Sequence, residues 1–233
     1  MKRQNKLIAL TIIILGVIIS TGIFVGRTKI DKVTEDPASN IKTLEIQPVS
    51  RLDHIMGNPK AKVIVLEFGD LECPYCQQFH FTMKRIMQDY GDLGQVAWVY
   101  RHYPAENHEN SMLGANASEC FANIDSTKNN QLSFWNYIDK IFSKNEVDLS
   151  KSALIKTAVE LGANFDNFKD CLNKEDFKTK IERDIADVDK LIEVEKKFMT
   201  PYSLIISNTG MVTSISGAAS YEDMSSVIDS FIN

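Results

Sequence analysis

Apolar and polar positions change period along this chain, and each change marks an element. Leu7 to Val25 runs without a charge and is rich in Ile and Leu, long enough as a helix to span about 28 Å. Ile30 to about Ser50 mixes charges with Pro37, Ser39 and Pro48 and holds no sustained period, which predicts a tether with one short strand at Leu44 to Ile46. Lys62 to Phe68 is a short, nearly continuous apolar run between Gly57-Asn58-Pro59 and Gly69, the pattern of a strand buried on both faces. Phe79, Met83, Ile86, Met87 and Tyr90 then recur at helical spacing, and Val96 to Tyr103 reads as a second strand. Strand, helix and strand in that order imply a parallel pair.

The middle of the chain is helical. Patterns cover about Ser111 to Ala122, Gln131 to Ser143, Lys151 to Leu161 and Phe165 to Leu172, followed by a long helix from about Lys174 with Ile181, Ile185, Val188 and Ile192 on one face. Strand patterns return at Ser203 to Ser207 and Met211 to Ser216, joined by Asn208-Thr209-Gly210. A closing helix carries Met224, Val227, Ile228 and Phe231. The order is βαβ, a helical block, then ββα. It divides the chain into residues 1–29, an anchor or signal; 30–56, a tether; 57–109, a first half-domain; 110–198, a helical insertion; and 199–233, the second half-domain.

Charge adds a direction. Lys2, Arg3 and Lys6 precede the apolar stretch, which places the N-terminus in the cytoplasm and the rest outside it, although Arg27 and Lys29 weaken the bias. The stretch is long for a signal peptide and no clear Ala-x-Ala site follows it, so an uncleaved single-pass anchor is favoured over a cleaved signal. All 31 acidic residues follow Lys29. The exported part therefore carries about −10, which argues against nucleic acid.

The chemistry centres on Cys73-Pro74-Tyr75-Cys76, at the junction of the first strand and its helix. Unpaired N–H groups and the positive end of the helix dipole favour a thiolate at Cys73. Pro74 suits the first helical position because its missing donor costs nothing there. Two residues on, Cys76 is placed to attack a mixed disulfide on Cys73, the second half of thiol–disulfide exchange. The alternative is half of a zinc site, but Cys120 and Cys171 are isolated and none of the four histidines pairs at ligand spacing. No metal or cofactor is expected. His54, His80, His102 and His108 are read as structural polar residues, and Asp70 and Glu72 as solvent-facing charges that temper the acidity of Cys73.

Three separated stretches resemble the DsbA family of extracytoplasmic thiol:disulfide oxidoreductases. They are Val65 to Cys76, Tyr100-Arg101-His102-Tyr103-Pro104, and Met199-Thr200-Pro201 with the following hairpin and Gly217-Ala218. The resemblance implies a thioredoxin-like α/β fold with an α-helical insertion, preceded by a transmembrane helix. It also implies a cis bond before Pro201 and a substrate-binding surface of Pro74, Tyr75, Thr200 and Pro201. Glu67, six residues before Cys73, stands where such enzymes carry an acid that handles the proton of the buried cysteine; a strand-end carboxylate reaching water is the alternative. Tyr75 departs from the histidine that strong oxidants of the family carry, and Thr200 resembles reductases and isomerases as much as oxidases.

In an oxidising compartment the remaining thiols, Cys120 and Cys171, are expected to pair across two helices, with buried free thiols as the alternative. The expected activity is disulfide formation in cysteine-containing exported proteins by a monomer that a membrane redox partner recycles. A reductase or isomerase, and a non-catalytic peptide-binding or chaperone module, are the rivals.

Overall fold

A computed structural model describes residues 46–124, 129–194 and 198–233. Its centre is one five-stranded sheet in the order β1-β3-β2-β4-β5. The strands are β1 (His54–Gly57), β2 (Val63–Gly69), β3 (Val96–His102), β4 (Tyr202–Ser207) and β5 (Val212–Ser216). Only β2 and β3 pair in parallel, and the other neighbours are antiparallel. Parallel neighbours need a crossover, and helix α1 (Pro74–Ile86), extended by a π-helical turn at Met87–Gly91, supplies it. Because β2 and β3 lie inside the sheet with both faces covered, their sequences are almost unbroken in apolar character.

Between β3 and β4 come α2 (Ser111–Asn123), α3 (Asn130–Phe142), α4 (Lys151–Glu160), α5 (Phe165–Lys174) and α6 (Lys178–Val194), and α7 (Tyr221–Ile232) closes the chain. The side chains of Asn129, Ser150, Asn164 and Ser220 accept hydrogen bonds from first-turn N–H groups and so start α3, α4, α5 and α7. Alternation along β2 divides the core. Val63 and Val65 face a cluster with Phe79, Met83, Trp98, Phe134 and Ile228, whereas Leu66 and Phe68 face Val99, Val188, Leu191 and Leu204. By the same alternation Glu67 points into the first, larger cluster.

Two expectations change. The tether expected over 30–56 ends earlier, because β1 pairs with β3 and Ile46 and Val49 pack against the second cluster. Four residues are too few to show a period. The edge of β1 is closed by a side chain instead of a strand: Ile55 N–H donates to Gln131 Oε1 at 2.6 Å, and Gln131 Nε2 donates to the Asp53 carbonyl at 2.9 Å. On α6, Ile181 and Val188 are buried as expected, but Ile192 is 39% exposed and Asp184, Asp187 and Leu191 share the buried face. Arg101, buried in β3, is the reason: its Nε is 2.8 Å from Asp53 and its Nη1 2.8 Å from Asp187. Buried guanidinium requires such partners. The membrane stretch Leu7 to Val25 lies outside the described residues, as do Leu44 and Glu45 of the strand expected before Gln47. Among the described residues no helix is long and apolar enough to cross a membrane.

Candidate active site

Cys73 is the N-cap of α1, with extended backbone (φ −78°, ψ 121°), and Pro74 occupies the first turn. The N–H groups of Cys76 and Gln77 donate to the Cys73 carbonyl at 3.0 and 3.1 Å. Both active-site thiols are free; Cys73 is 6% exposed and Cys76 fully buried. A hydrogen bond from Cys76 is the main force holding the Cys73 thiol down, to about 5, against the opposing effect of burial; the Thr200 side chain and the N–H groups of Cys76 and Tyr75 add to it. Burial pushes Cys76 the other way, well above the ordinary thiol range, helped by its bond to Cys73 and by the charges of Glu67 and Cys73. One sulfur is thus favoured as the thiolate and the other as the thiol.

The Thr200–Pro201 peptide is cis. It precedes β4 and sets the Thr200 carbonyl oxygen 3.6 Å from Cys73 Sγ, where the thiol form can donate to it. Tyr75 is 62% exposed beside the sulfur. Cys73, Tyr75, Tyr103, His108, Phe198 and Thr200 border a groove of about 570 Å³. Tyr75, Tyr103 and Phe198 give it aromatic walls.

Glu67 lies beneath the dithiol, 1% exposed, and accepts a hydrogen bond from Trp98 Nε1 at 2.8 Å. Burial raises its pKa to about 8; Trp98 opposes this and the Cys73 charge reinforces it. Tyr100 pairs across from Glu67 in the parallel register. Its hydroxyl is buried without a hydrogen-bond partner among the described residues. Gly69 is required beside it, because a Cβ there would fall 2.6 Å from the Tyr100 ring.

Asp70 is not solvent-facing, as the sequence suggested, but 1% exposed. Its Oδ1 accepts from Glu72 N–H at 2.8 Å and Ser111 Oγ at 2.7 Å, and its Oδ2 from Ala105 N–H at 2.9 Å and His108 Nδ1 at 2.6 Å. Its own N–H points at Cys76 Sγ, 3.4 Å away, and its carbonyl accepts from Cys73 N–H at 3.2 Å. Glu72 is half-buried and accepts from Asn110 N–H at 2.8 Å. Both carboxylates therefore tie the loop after β3 to the active-site turn. A single acid before the dithiol gives no hint of this, because its partners in and after that loop lie 35 and more residues away. The histidines are also paired inside the fold: His54 Nε2 and His102 Nε2 lie 2.8 and 3.2 Å from Glu119, and His80 Nε2 lies 2.7 Å from Asp139. Cys120 and Cys171 are bonded to each other, joining α2 to α5 across a sequence separation of 51. They cannot then complete a zinc site with Cys73 and Cys76.

A family model described as Thioredoxin matches residues 50–230. The chain is 30% identical over 199 residues to the probable disulfide bond formation protein D of Bacillus anthracis, covering 82% of this chain and 85% of that protein. It is also 31% identical over 117 residues to the Na(+)/H(+) antiporter NhaA 1 of Mycolicibacterium gilvum, where the alignment takes in 50% of this chain and only 17% of the antiporter. The chain spans a fifth or less of the length of such antiporter relatives. Among solved structures, oxidised BdbD from Bacillus subtilis superposes with a TM-score of 0.64 at 26% identity, covering 80% of this chain and 96% of that one. Wolbachia pipientis alpha-DsbA1 superposes with a TM-score of 0.64 at 23% identity, covering 81% and 94%, a likeness of fold.

Proposed function

On the premise that the chain belongs to the thioredoxin family, and within it to the DsbA-like thiol:disulfide oxidoreductases, we propose that it forms disulfides in exported proteins through Cys73 and Cys76. A substrate thiolate attacks Cys73 Sγ of the oxidised enzyme, the Cys73–Cys76 bond breaks, and Cys76 leaves with the electron pair. Glu67, kept partly protonated near neutral pH by its burial, supplies the proton that Cys76 takes up. A second substrate thiolate then attacks the substrate sulfur of the mixed disulfide and expels Cys73 as a thiolate. The substrate has lost two electrons and the enzyme has gained them. A redox partner in the membrane returns the dithiol to the disulfide.

The observation that carries this direction is the low pKa of Cys73, about 5, against about 8.5 for a free thiol. Stabilising the thiolate lowers the free energy of the reduced enzyme, so its disulfide is the better oxidant. It also makes Cys73 the better leaving group in the second exchange. Tyr75 cannot supply the positive charge of a motif histidine, and its place is taken by the Cys76 hydrogen bond and the Thr200 side chain. Pro74 and Tyr75 form one lip of the peptide site, and Thr200 and Pro201 form the other, where the Thr200 backbone meets an extended substrate. Cys120–Cys171 braces the helical insertion. The domain works outside the cytoplasm, held by Leu7 to Val25 as a single-pass anchor.

Two measurements test this reading. Oxidised protein mixed with a reduced two-cysteine peptide should convert it to the disulfide in about one equivalent; oxidation of the enzyme by peptide disulfide as the favoured reaction would instead make it a reductase. Reduced protein should be alkylated at Cys73 much faster than at Cys76, with a midpoint near the acid value given above. Equal labelling of the two sulfurs would remove the assignment of roles.

A further inference from the structure

The loop after β3 delivers an imidazole to the groove. His108 borders it together with Cys73, Tyr75 and Thr200. Its Nδ1 is held 2.6 Å from Asp70 Oδ2, and Asp70 cannot turn away, because its other acceptor bonds fix it to Glu72, Ser111 and Ala105. The side chain of Asp70 is fully buried, whereas that of His108 is 23% exposed. Nε2 has no hydrogen-bond partner among the described residues. A buried carboxylate on one imidazole nitrogen sets tautomer and orientation and leaves the second nitrogen for proton transfer. The same buried Asp70 also contacts both cysteines through its backbone, so the ring is positioned relative to the sulfurs and not merely near them.

We propose that His108 takes the proton of the substrate thiol entering the groove and holds it opposite the Cys73 thiolate that the exchange leaves behind. This rests on the reading of Cys73 as the sulfur that exchanges with substrate thiols. In the first exchange the substrate S–H bond breaks and its proton goes to His108 Nε2. The sulfur's electron pair forms the bond to Cys73, and the pair of the Cys73–Cys76 bond leaves on Cys76, which is protonated from Glu67. The second substrate thiol gives its proton to solvent, from which Glu67 is replenished. Its sulfur then displaces Cys73. The imidazolium remains as counter-charge to the thiolate, the role that Tyr75 cannot fill from within the motif.

The charges around the ring support this assignment. Asp70 faces it from the end of β2, Glu72 and Cys73 from the turn before α1, and Tyr103 and Glu106 share the groove from its own loop. Burial opposes the charged ring, but the Asp70 hydrogen bond and the charges of Asp70, Cys73 and Glu72 raise its pKa above the ordinary value. The Cys73 charge is absent from the disulfide form. His108 is therefore neutral more of the time before exchange, free to take the proton, and holds it more tightly once the Cys73 thiolate has formed.

The test uses the full chain in its oxidised state with a reduced two-cysteine peptide, followed by stopped flow from about pH 5.5 to about pH 9. For His108→Ala the first exchange should slow about tenfold or more near neutral pH, and the deficit should fade as the substrate thiol approaches its own pKa of about 8.5. Added imidazole should restore part of the rate, and the Cys73 pKa of the reduced variant should rise. His108→Asn can still bond Asp70 but cannot carry the proton, so it should show the same pH-dependent deficit with the fold secured. Parent-like rates in both variants at every pH would overturn the proposal. So would a deficit that is constant with pH and indifferent to imidazole, which marks a structural role. A parent protein unable to oxidise the peptide would instead remove the oxidase reading on which the proposal stands.

Discussion

Glu67 and Tyr100 show how much the site is held in an unfavourable state for use. Glu67 has its pKa raised to about 8 in the fold from an ordinary 4.5. For a carboxyl raised in this way the folded state is at no disadvantage below about pH 4.5. It then loses stability relative to the unfolded chain as pH rises toward about 8, because the unfolded chain ionises first. Glu67→Gln keeps the shape and removes that slope. The reduced variant should therefore be more stable than the parent at pH 7 by on the order of 1 to 3 kcal/mol, with the gap closing near pH 4 in urea titrations. Its Cys76 should also be slower to exchange. A variant with parent stability at both pH values would mean that Glu67 is ionised at little cost. Tyr100 makes a parallel case, because a buried hydroxyl without a partner carries a desolvation penalty of about 1 to 3 kcal/mol. Tyr100→Phe should leave stability unchanged or raise it, as measured by denaturant midpoint; a loss of more than about 1 kcal/mol would reveal an acceptor for that hydroxyl.

Among the elements, those that carry the dithiol are legible from sequence and those that support it are less so. β2, α1, β3 and the ββα ending follow from apolar period, because buried central strands and amphipathic helices write their environment into neighbouring residues. β1 does not, since its register with β3 depends on a distant partner and its edge on Gln131. Nor do the aspartates on the buried face of α6, whose placement makes sense only once Arg101 is seen in β3. Asp70 and His108 escape for the same reason: they are 38 residues apart, and only the folding back of the loop after β3 brings them together. The bond between α2 and α5 constrains the part of the helical block that packs with Val63 and Val65, whereas α6 packs on the opposite face with Leu66 and Phe68. Replacing Cys120 and Cys171 by Ala should lower stability by up to about 4 kcal/mol in the loop-entropy model, leaving the exchange rate of Cys73 largely intact. Unchanged stability would mean that the helical block is fixed by its packing alone.

At the scale of the whole molecule, redox state and stability are one quantity, and the acidity of Cys73 sets its sign. The Cys73 thiol falls from an ordinary 9.0 to about 5 in the folded reduced protein. A group depressed on folding contributes in full above its unfolded pKa, and the contribution shrinks as pH falls and is gone below the folded pKa. Reduced protein should gain on the order of 2 kcal/mol from this source at pH 7, less whatever solvent at the groove edge screens, and nothing at pH 4. The oxidised protein has no such thiolate, but its unfolded chain is shortened by a loop of only a few residues, a small entropic compensation. Thermal unfolding of the two forms should accordingly place the reduced protein above the oxidised at pH 7. Their separation should narrow as pH is lowered toward 4. If the oxidised form were the more stable at neutral pH, the fold would be favouring its own disulfide, and the protein would be suited to reducing its clients. The order of two melting temperatures thus reads the direction of electron flow from the molecule as a whole, independently of any client.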